Sequence, residues 1–253
     1  MDKNLPVNSI QKTFTIIQKL VKEGELSVKE ITDIVDMPKT TVHGHLRTLD
    51  ELGYVINDGE CYRTSTRFVA LGSLTRNRME IFNISKDKID NLANVTGEQA
   101  SLVINEQSRA VTLYTATGEQ ALEIEPFDGQ WFPLHTIAAG KAILAHQSDE
   151  TIEEYIEMSG LERRTENTIT DREKLHRELE RIVEQGYAVD DQEHEMGLSG
   201  IAVPILKGSD IKAAVNLFGP ASRMRVSQFE RDEEIGQAIF QVANVIEVNL
   251  GYI

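Results

Sequence analysis

Residues 9–63 constrain the fold more than any other part of the chain, because they carry start and stop signals for three short helices and a hairpin. The first helix is predicted from apolar residues at helical spacing before Gly24, namely Ile10, Phe14, Ile17, Leu20 and Val21. A capping box at Ser27 and Glu30 begins the second helix, which we expect to bury Ile31, Ile34 and Val35.

The third helix is predicted to begin after Pro38 and to end at Gly53, with Val42, Leu46 and Leu49 on its buried face. Two β-prone runs follow, at 54–56 and 61–63, and the Asp58–Gly59 pair between them favours a tight turn. Three helices followed by a hairpin are typical of a winged helix-turn-helix. We assign residues 1–65 to this domain.

The third helix has a polar face without a carboxylate until Asp50, formed by Lys39, Thr40, Thr41, His43, Gly44 and Arg47. In a major groove, Lys39 and Thr41 would reach phosphates and His43 and Arg47 would reach base edges, with Arg63 of the wing near the backbone. A glycine in a helix interior costs about 1 kcal/mol relative to alanine, and close approach of the helix backbone to DNA would explain why Gly44 is present. Double-stranded DNA is therefore the predicted partner. A small bundle with a solvated polar face is the alternative.

The charge is distributed unevenly along the 253 residues, whose formal net charge is −15. Residues 1–80 hold equal numbers of basic and acidic side chains, so the whole acidic excess lies in the remainder of the chain. This asymmetry predicts two modules, of which the first tolerates a polyanion. A single cysteine, Cys61, excludes an internal disulfide, and no apolar run suits a secretory signal or a membrane span. We expect a cytoplasmic protein.

Residues 27–53 resemble the DNA-binding domain of the IclR (isocitrate-lyase-regulator) family of transcription factors, above all in the runs MPKTTVH at 37–43 and LRTLDELGYV at 46–55. The resemblance implies binding to promoter or operator DNA. Gly44 departs from the larger polar or basic residue of many relatives. The acidic second module and the run at 244–249 are similar to haloarchaeal members of the family.

A connecting helix is predicted over residues 66–82, because Phe68, Leu71, Thr75, Met79 and Phe82 are spaced by three and four. An apolar helix beside a DNA-binding module favours pairing with a second copy, which would present two recognition helices to two half-sites. The family resemblance implies a homodimer or homotetramer joined through this region.

Residues 83–253 mix helices and strands, as expected of an α+β sensor with a mixed sheet flanked by helices. One helix is predicted to end at Gly97. A second is predicted to begin with a capping box at 170–173, to end at Gly186 and to bury Leu175, Leu179, Ile182 and Val183. A third is predicted to follow a capping box at 227–230. Strands are predicted at 100–105, 110–115, 187–190, 201–206 and 211–218. The family resemblance identifies this module as a GAF-like effector-binding domain.

The segment 134–145 places small residues at a helix start, where open backbone N–H groups can receive a carboxylate or phosphate. This segment and 186–205 resemble the effector-binding motifs of the family. The resemblance implies effector contacts from the backbone of Ala138, Ala139 and Gly140, the side chain of Asp190, and the positions Gly200, Asn216 and Phe218. The expected effector is a small organic acid, sugar or sugar acid. Gly200 and Phe218 depart from relatives that bind small keto acids, and Trp131 is a further candidate for the same pocket.

No enzyme motif is complete in the sequence. Gly140–Lys141 lacks the rest of a phosphate loop, and Gly197–Gly200 misses the nucleophile elbow by one position. No cofactor is predicted, and a metal held by His135, Glu193 and His194 is a minor alternative to hydrogen-bonded histidines. The competing function is a metabolite-binding domain or enzyme whose helix-turn-helix contacts another protein.

Overall fold

The structure is a computed structural model that describes residues 6–122, 128–224 and 234–252. The chain divides into two compact units, residues 1–78 and 79–253. None of the helices in the described ranges combines the length and the apolar character needed to span a bilayer.

Over its described residues 6–78, the first unit contains four helices and a three-stranded sheet. The helices are α1 (Asn8–Glu23), α2 (Val28–Val35), α3 (Lys39–Glu51) and α4 (Arg67–Asn77), and the strands are β1 (Leu26–Ser27), β2 (Val55–Asn57) and β3 (Cys61–Thr64). The predicted capping box is present, since Ser27 accepts a hydrogen bond from the Glu30 amide and the Glu30 carboxylate accepts one from the Ser27 amide. Val42, Leu46 and Leu49 are buried as predicted, so the opposite face of α3 is left to solvent.

The wing is an antiparallel hairpin of β2 and β3 in which Ile56 lies opposite Arg63. Its turn is held by side chains, because the Asp58 carboxylate accepts hydrogen bonds from the amides of Glu60 and Cys61. The sequence did not predict β1, which adds a short third strand by pairing Leu26 with Tyr62.

The apolar faces of the first unit are less completely buried than the periodicity predicted. Ile34 is 41% exposed rather than buried. In α1 the core takes Ile16, Ile17 and Leu20, whereas Ile10, Phe14 and Val21 face solvent. Helical spacing identifies which residues of a helix form an apolar face. It does not show how much of that face the neighbouring helices cover.

The connecting segment is two helices rather than one. α4 ends at Asn77, and a new helix, α5 (Glu80–Thr96), begins after Met79, whose backbone is extended. No residue of α4 is buried, and Val69, Leu71 and Leu74 are exposed. The two compact units divide at this interruption, between residues 78 and 79.

The second unit is built on a six-stranded sheet in the order β6-β5-β4-β9-β8-β7. Its strands are β4 (Gln99–Glu106), β5 (Arg109–Thr117), β6 (Trp131–Pro133), β7 (Ala188–Asp191), β8 (Leu198–Lys207) and β9 (Asp210–Pro220). Its remaining helices are α6 (Ala138–Leu144), α7 (Asp149–Ser159), α8 (Arg172–Gln185) and α9 (Glu234–Gly251). Every strand pairing among the described residues is antiparallel, so this sheet does not mix parallel and antiparallel strands as we expected.

The two faces of this sheet carry different residues. On one face, alternate positions of β4, β8 and β9 are large and apolar and pack against α5 and α9, as Leu102, Val203 and Val215 do. On the other face several alternate positions are small or polar, as Ser101, Ala202 and Asn216 are, and α6 packs on this face. Because strand side chains alternate between faces, the sequence of each strand specifies a full core on one side and a partly open one on the other.

Two local expectations for α8 are wrong. The N-cap is Asp171, which accepts a hydrogen bond from the Lys174 amide, and not Thr170. Val183 is 51% exposed, since only Leu175, Leu179 and Ile182 point into the core. The predicted capping box at 227–230 lies outside the described residues.

Gly140 is required by packing within the segment that precedes it. A Cβ placed on Gly140 would lie 2.3 Å from the Leu134 carbonyl oxygen, a distance that real structures do not tolerate. The small residue here therefore allows α6 to fold back against the 3-10 turn Leu134–Thr136.

We expect Gly140→Ala to destabilise the second unit by about 2 kcal/mol, because overpacked cores lose about 1–3 kcal/mol. Thermal unfolding should show a Tm lower by about 6 °C. The control is Gly251→Ala at the end of α9, where nothing lies within 4 Å of the added Cβ. Equal Tm values for the two variants would contradict this account of Gly140.

Candidate functional site

The first candidate site is the solvent face of α3 with the adjacent wing. Lys39, Thr40, His43, Gly44 and Arg47 are exposed on the helix, and Thr41 is half-buried. A Cβ on Gly44 would meet nothing within 4 Å, so no packing contact in the described residues requires glycine there. Arg63 is exposed on β3. All the residues predicted to contact DNA therefore lie at the surface of this unit.

Two of these arginines are paired with carboxylates. Arg47 Nε donates to Glu51 Oε1 at 2.9 Å within α3, and Arg63 Nε lies 3.4 Å from Glu25 Oε1. The Arg47 and Glu51 side chains are 73% and 64% exposed, and such exposed pairs add little stability. In the absence of DNA, the face of α3 therefore includes the Glu51 carboxylate. The Arg47 side chain can leave this carboxylate at a small cost in free energy.

The neighbouring His45 has a different role from His43. Its Nδ1 lies 2.8 Å from Thr13 Oγ1, which joins α3 to α1. His45 therefore contributes to the packing of the unit, and His43 is left for external contacts.

The second candidate site is a cavity of about 160 Å³ on the α6 face of the large sheet. Its wall is formed by the small and polar face of β4, β8 and β9, together with β5, β6, the start of α6 and the loop at 192–197. Of the predicted effector residues, this wall contains Ala138, Asp190, Gly200, Asn216 and Phe218.

Strand register brings these residues together. Asp190, Gly200 and Phe218 lie side by side on β7, β8 and β9. Asn216 lies in the next row, opposite Ser101 of β4, and its Nδ2 donates to Ser101 Oγ at 3.3 Å. Residues far apart in sequence thus form one continuous patch of the wall.

Gly200 and Phe218 are sterically linked. A Cβ on Gly200 would lie 3.1 Å from the Phe218 Cβ and 2.7 Å from the Leu217 carbonyl oxygen. Gly200 and Phe218 therefore form one arrangement, in which the missing side chain on β8 leaves room for the aromatic ring on β9.

Three predicted residues do not reach the cavity wall. Ala139 and Gly140 are completely or almost completely buried but lie outside the wall, and only Ala138 of this segment contributes to it. Trp131 is 48% exposed, with the Arg109 guanidinium 5.7 Å from its ring centroid. The strand alternation explains Trp131, because its neighbours Gln130 and Phe132 face the cavity instead.

The remaining residues of the wall are not among the predicted effector contacts. They are Ser101, Val103, Thr112, Thr115, Gln130, Phe132, Ile137, His194, Glu195, Leu198 and Ser199. Ser101 and Thr112 carry a usable signal, since they are buried polar residues at alternate positions of otherwise apolar strands. Such residues indicate a sheet face that is not sealed by a core.

Asp190 is the central ionisable group of the wall. Burial, reinforced by the nearby Glu193, raises the pKa of Asp190 to about 7. Its Oδ1 accepts a hydrogen bond from the Glu193 amide at 2.7 Å, which fixes the start of the loop at 192–197. At neutral pH this carboxyl group can therefore accept or donate a hydrogen bond inside the cavity.

The two histidines of this region are held in neutral hydrogen-bonded positions. Burial, with a contribution from Arg164, lowers the pKa of His194 to about 4, and its Nδ1 lies 3.1 Å from Thr136 Oγ1. His135 is buried, with Nδ1 at 2.5 Å from Tyr155 Oη. Within the described parts of the chain, no three His, Cys, Asp or Glu side chains are grouped as metal ligands.

A buried ion pair lies directly behind the wall. The Lys141 side chain has no exposed surface, and its ammonium donates a short hydrogen bond to Glu193 and lies 3.5 Å from Glu178 Oε1. Thr165 and Thr168 also hold this loop by donating to the Glu193 carbonyl oxygen at 3.1 and 2.6 Å. Because His194 and Glu195 follow Glu193 directly, these contacts position part of the cavity wall.

We expect Lys141→Met to destabilise the second unit by about 3–5 kcal/mol, since it leaves the buried Glu193 carboxylate without a cation. The double variant with Glu193→Gln should recover most of this loss, because no unpaired charge remains at position 193. Urea unfolding of both variants measures the difference. Lys174→Met on the exposed side of α8 is the control, and a single variant as stable as the double one would contradict the pairing.

Asp190 also predicts a pH dependence of stability. A carboxyl group with a raised pKa stabilises the folded state fully below about pH 4, and this contribution is lost as the pH rises through about 7. Asp190→Asn should therefore equal the wild type near pH 4 and exceed its free energy of unfolding by about 4 kcal/mol at pH 8. Urea unfolding from pH 4 to pH 8 measures this, with the exposed neighbour Asp191→Asn as control. A constant difference across that range would contradict it.

Comparison with known families supports this division of the chain. Residues 9–59 match the IclR helix-turn-helix domain, and residues 74–248 match the family described as bacterial transcriptional regulator IclR C-terminal. The second match alone covers more than half of the chain and contains every residue of the cavity wall.

Individual relatives are similar to this chain over nearly its full length. A probable HTH-type transcriptional regulator ArcR of Halobacterium salinarum is 31% identical, with 96% of this chain and 94% of that protein covered. The HTH-type transcriptional regulator KdgR of Escherichia coli is 30% identical, with 97% and 94% covered. The crystal structure of the Thermotoga maritima IclR is similar with a TM-score of 0.81 and 30% identity, over 97% of this chain and 99% of that one.

Proposed function

We propose, from the premise that this chain belongs to the IclR family of transcriptional regulators, that a small metabolite in the cavity of residues 79–253 controls the affinity of residues 1–78 for an operator. The family has a helix-turn-helix that binds DNA and a C-terminal domain that binds a ligand. The proposal adds the residues that perform each task.

The observation that carries the proposal is the solvent face of α3. Lys39 and Thr41 would contact phosphates, and His43 and Arg47 would contact base edges while Gly44 lets the helix backbone approach. Arg63 would contact the DNA backbone from the wing. On binding, the Arg47 guanidinium would leave Glu51 and contact the DNA, because a phosphate or guanine competes with the Glu51 carboxylate for it.

The effector would bind against Ala138, Asp190, Gly200, Asn216 and Phe218. We assign it to the small organic acids, sugars and sugar acids, and Asp190 would hold one of its hydroxyl groups. Regulation requires that the effector bind more tightly to one arrangement of the two DNA-binding units than to another.

Two copies are needed to present two recognition helices to DNA, so the active form would be a homodimer or homotetramer. The exposed Val69, Leu71 and Leu74 of α4 and Ile10 and Phe14 of α1 offer apolar surface for such pairing. The protein would act in the cytoplasm and catalyse no reaction. The alternative of a metabolite-binding enzyme with a protein-binding helix-turn-helix predicts turnover and no DNA complex.

Arg47→Ala should weaken binding to the upstream region of the protein's own gene by about tenfold, because one charged contact in the groove is lost. Fluorescence anisotropy at low and moderate salt measures the loss, and the affinity of the wild type should fall as salt rises.

The matched control is Arg177→Ala. Arg177 is also an exposed arginine with a glutamate four residues away, Glu173, but it lies on α8 of the second unit. Its loss should leave DNA binding unchanged. If Arg177→Ala and Arg47→Ala weaken the complex equally, or if no complex forms at low salt, the assignment of α3 to DNA is wrong.

A further inference from the structure

A bulge interrupts β5 beside the cavity. Thr112 lies opposite Val103 of β4 and Tyr114 lies opposite Leu102, so Leu113 between them has no residue opposite it. An extra residue of this kind breaks the regular alternation of a strand and turns the following side chains to the other face. The bulge therefore determines which side chains of β5 face the cavity.

The bulge brings the two faces of the sheet together within four residues. Thr112 and Thr115 both line the cavity, although they are three residues apart. Leu113 and Tyr114 both pack into the apolar core on the opposite face. Regular alternation would have turned Tyr114 to the same face as Thr112. A shift of this short segment therefore acts on the cavity and on the core at once.

The cavity side of the bulge carries an unsatisfied polar group. Thr115 Oγ1 is buried, and among the described residues it has no hydrogen-bond partner. A buried hydroxyl without a partner is costly, and a ligand oxygen in the cavity would satisfy it, because a hydroxyl both donates and accepts. A bound effector would therefore contact the bulge at Thr115.

The opposite side of the bulge is bonded to α5. Tyr114 Oη donates to Asp90 Oδ1 at 2.5 Å. The Tyr114 ring lies edge-on to the Phe82 ring with the centroids 5.7 Å apart, and Lys86 Nζ lies 5.2 Å from the Tyr114 centroid. Residues 82, 86 and 90 follow one another at intervals of four, so Tyr114 contacts successive turns along one side of α5.

α5 is also the helix through which the first unit is attached. Its first turn contains Phe82, and it begins after Met79, whose backbone is extended. The two compact units divide between residues 78 and 79. A displacement of the first turn of α5 therefore moves the point at which the chain of the first unit is joined.

We propose that the β5 bulge couples the effector cavity to the first unit, with Thr115 on the cavity side and Tyr114 on the α5 side. A ligand contact at Thr115 shifts the bulged segment, and the Tyr114 side chain transmits this shift to Phe82 and Asp90. The inference rests on the proposed function and assigns residues to its regulatory step. Because coupling between two sites is reciprocal, DNA bound to the first unit must in turn alter the bulge.

The first test uses the free full-length protein. Hydrogen exchange with mass spectrometry follows one peptide covering Arg109–Thr117 of β5 and one covering the start of α5. Tyr114→Phe should speed exchange in both peptides by about fivefold, the effect expected when one hydrogen bond is lost. The matched control is Tyr187→Phe, because Tyr187 is also half-buried against this core and lies edge-on to Phe240 of α9. This control should leave both peptides unchanged.

Thr115→Val tests the cavity side of the same connection. It keeps the shape of the side chain and removes the unpartnered hydroxyl, so it should slow exchange of the β5 peptide by about fivefold. The α5 peptide should slow with it when Tyr114 is present. In the double variant with Tyr114→Phe, Thr115→Val should no longer affect the α5 peptide.

The last test adds a DNA duplex from the upstream region of the protein's own gene. Binding should change exchange of the β5 peptide by about fivefold in the wild type and in Tyr187→Phe, which is the lower end of ordinary coupling between sites. In Tyr114→Phe the β5 peptide should not respond, although fluorescence anisotropy should show that the affinity for the duplex is retained.

Equal exchange of the α5 peptide in Thr115→Val and the wild type overturns the inference, and so does an equal response to DNA in Tyr114→Phe and the wild type. A DNA complex in which the β5 peptide does not respond removes this route and leaves the DNA-binding function intact. If no complex forms, the regulatory role is lost, and the free variants alone decide whether the bulge joins the cavity to α5.

Discussion

The contrast between the two faces of the six-stranded sheet is the constraint on which the second unit depends. One face is sealed by large apolar residues such as Leu102, Val203 and Val215 against α5 and α9. The other face is only partly filled by a second core, with residues such as Leu134, Ile143 and Leu179, and it also carries Ser101 and Asn216, whose polar groups would weaken a fully sealed core. The cavity lies beside this second core, which shares Val103 and Ala138 with the cavity wall.

The elements with local signals could be predicted from the sequence. The capping box at Ser27, the buried stripe Val42, Leu46 and Leu49, and the left-handed glycines Gly97 and Gly186 are specified by neighbouring residues, and the structure has them as expected. The interruption after Asn77 and the exposure of Val183 could not be predicted, because they depend on which surfaces other elements cover.

In the candidate site, too, some features could be predicted from the sequence and others depend on contacts between distant residues. Asp190, Gly200, Asn216 and Phe218 were identified through the resemblance to a family, and antiparallel register explains why they meet. The sequence offered no signal that Lys141 would be buried against Glu193, since 52 residues separate them and both side chains are ordinarily solvated. The small residues at 139 and 140 predict an opening for a ligand, whereas the structure shows that Gly140 is required by close contact with the backbone of Leu134.

The salt link between Lys141 and Glu193 also limits how this protein can diverge. Replacement of Lys141 leaves the Glu193 carboxylate buried without a cation, so an ancestor that carried this change would have a less stable second unit. Replacement of Glu193 costs less free energy, because the Lys141 ammonium still lies 3.5 Å from Glu178 Oε1. Both residues can be exchanged for uncharged side chains if the change at Glu193 comes first, if the two changes arise together, or if another substitution has already stabilised the unit. Lineages are thus expected to lose Glu193 before Lys141 or together with it, and not to lose Lys141 alone.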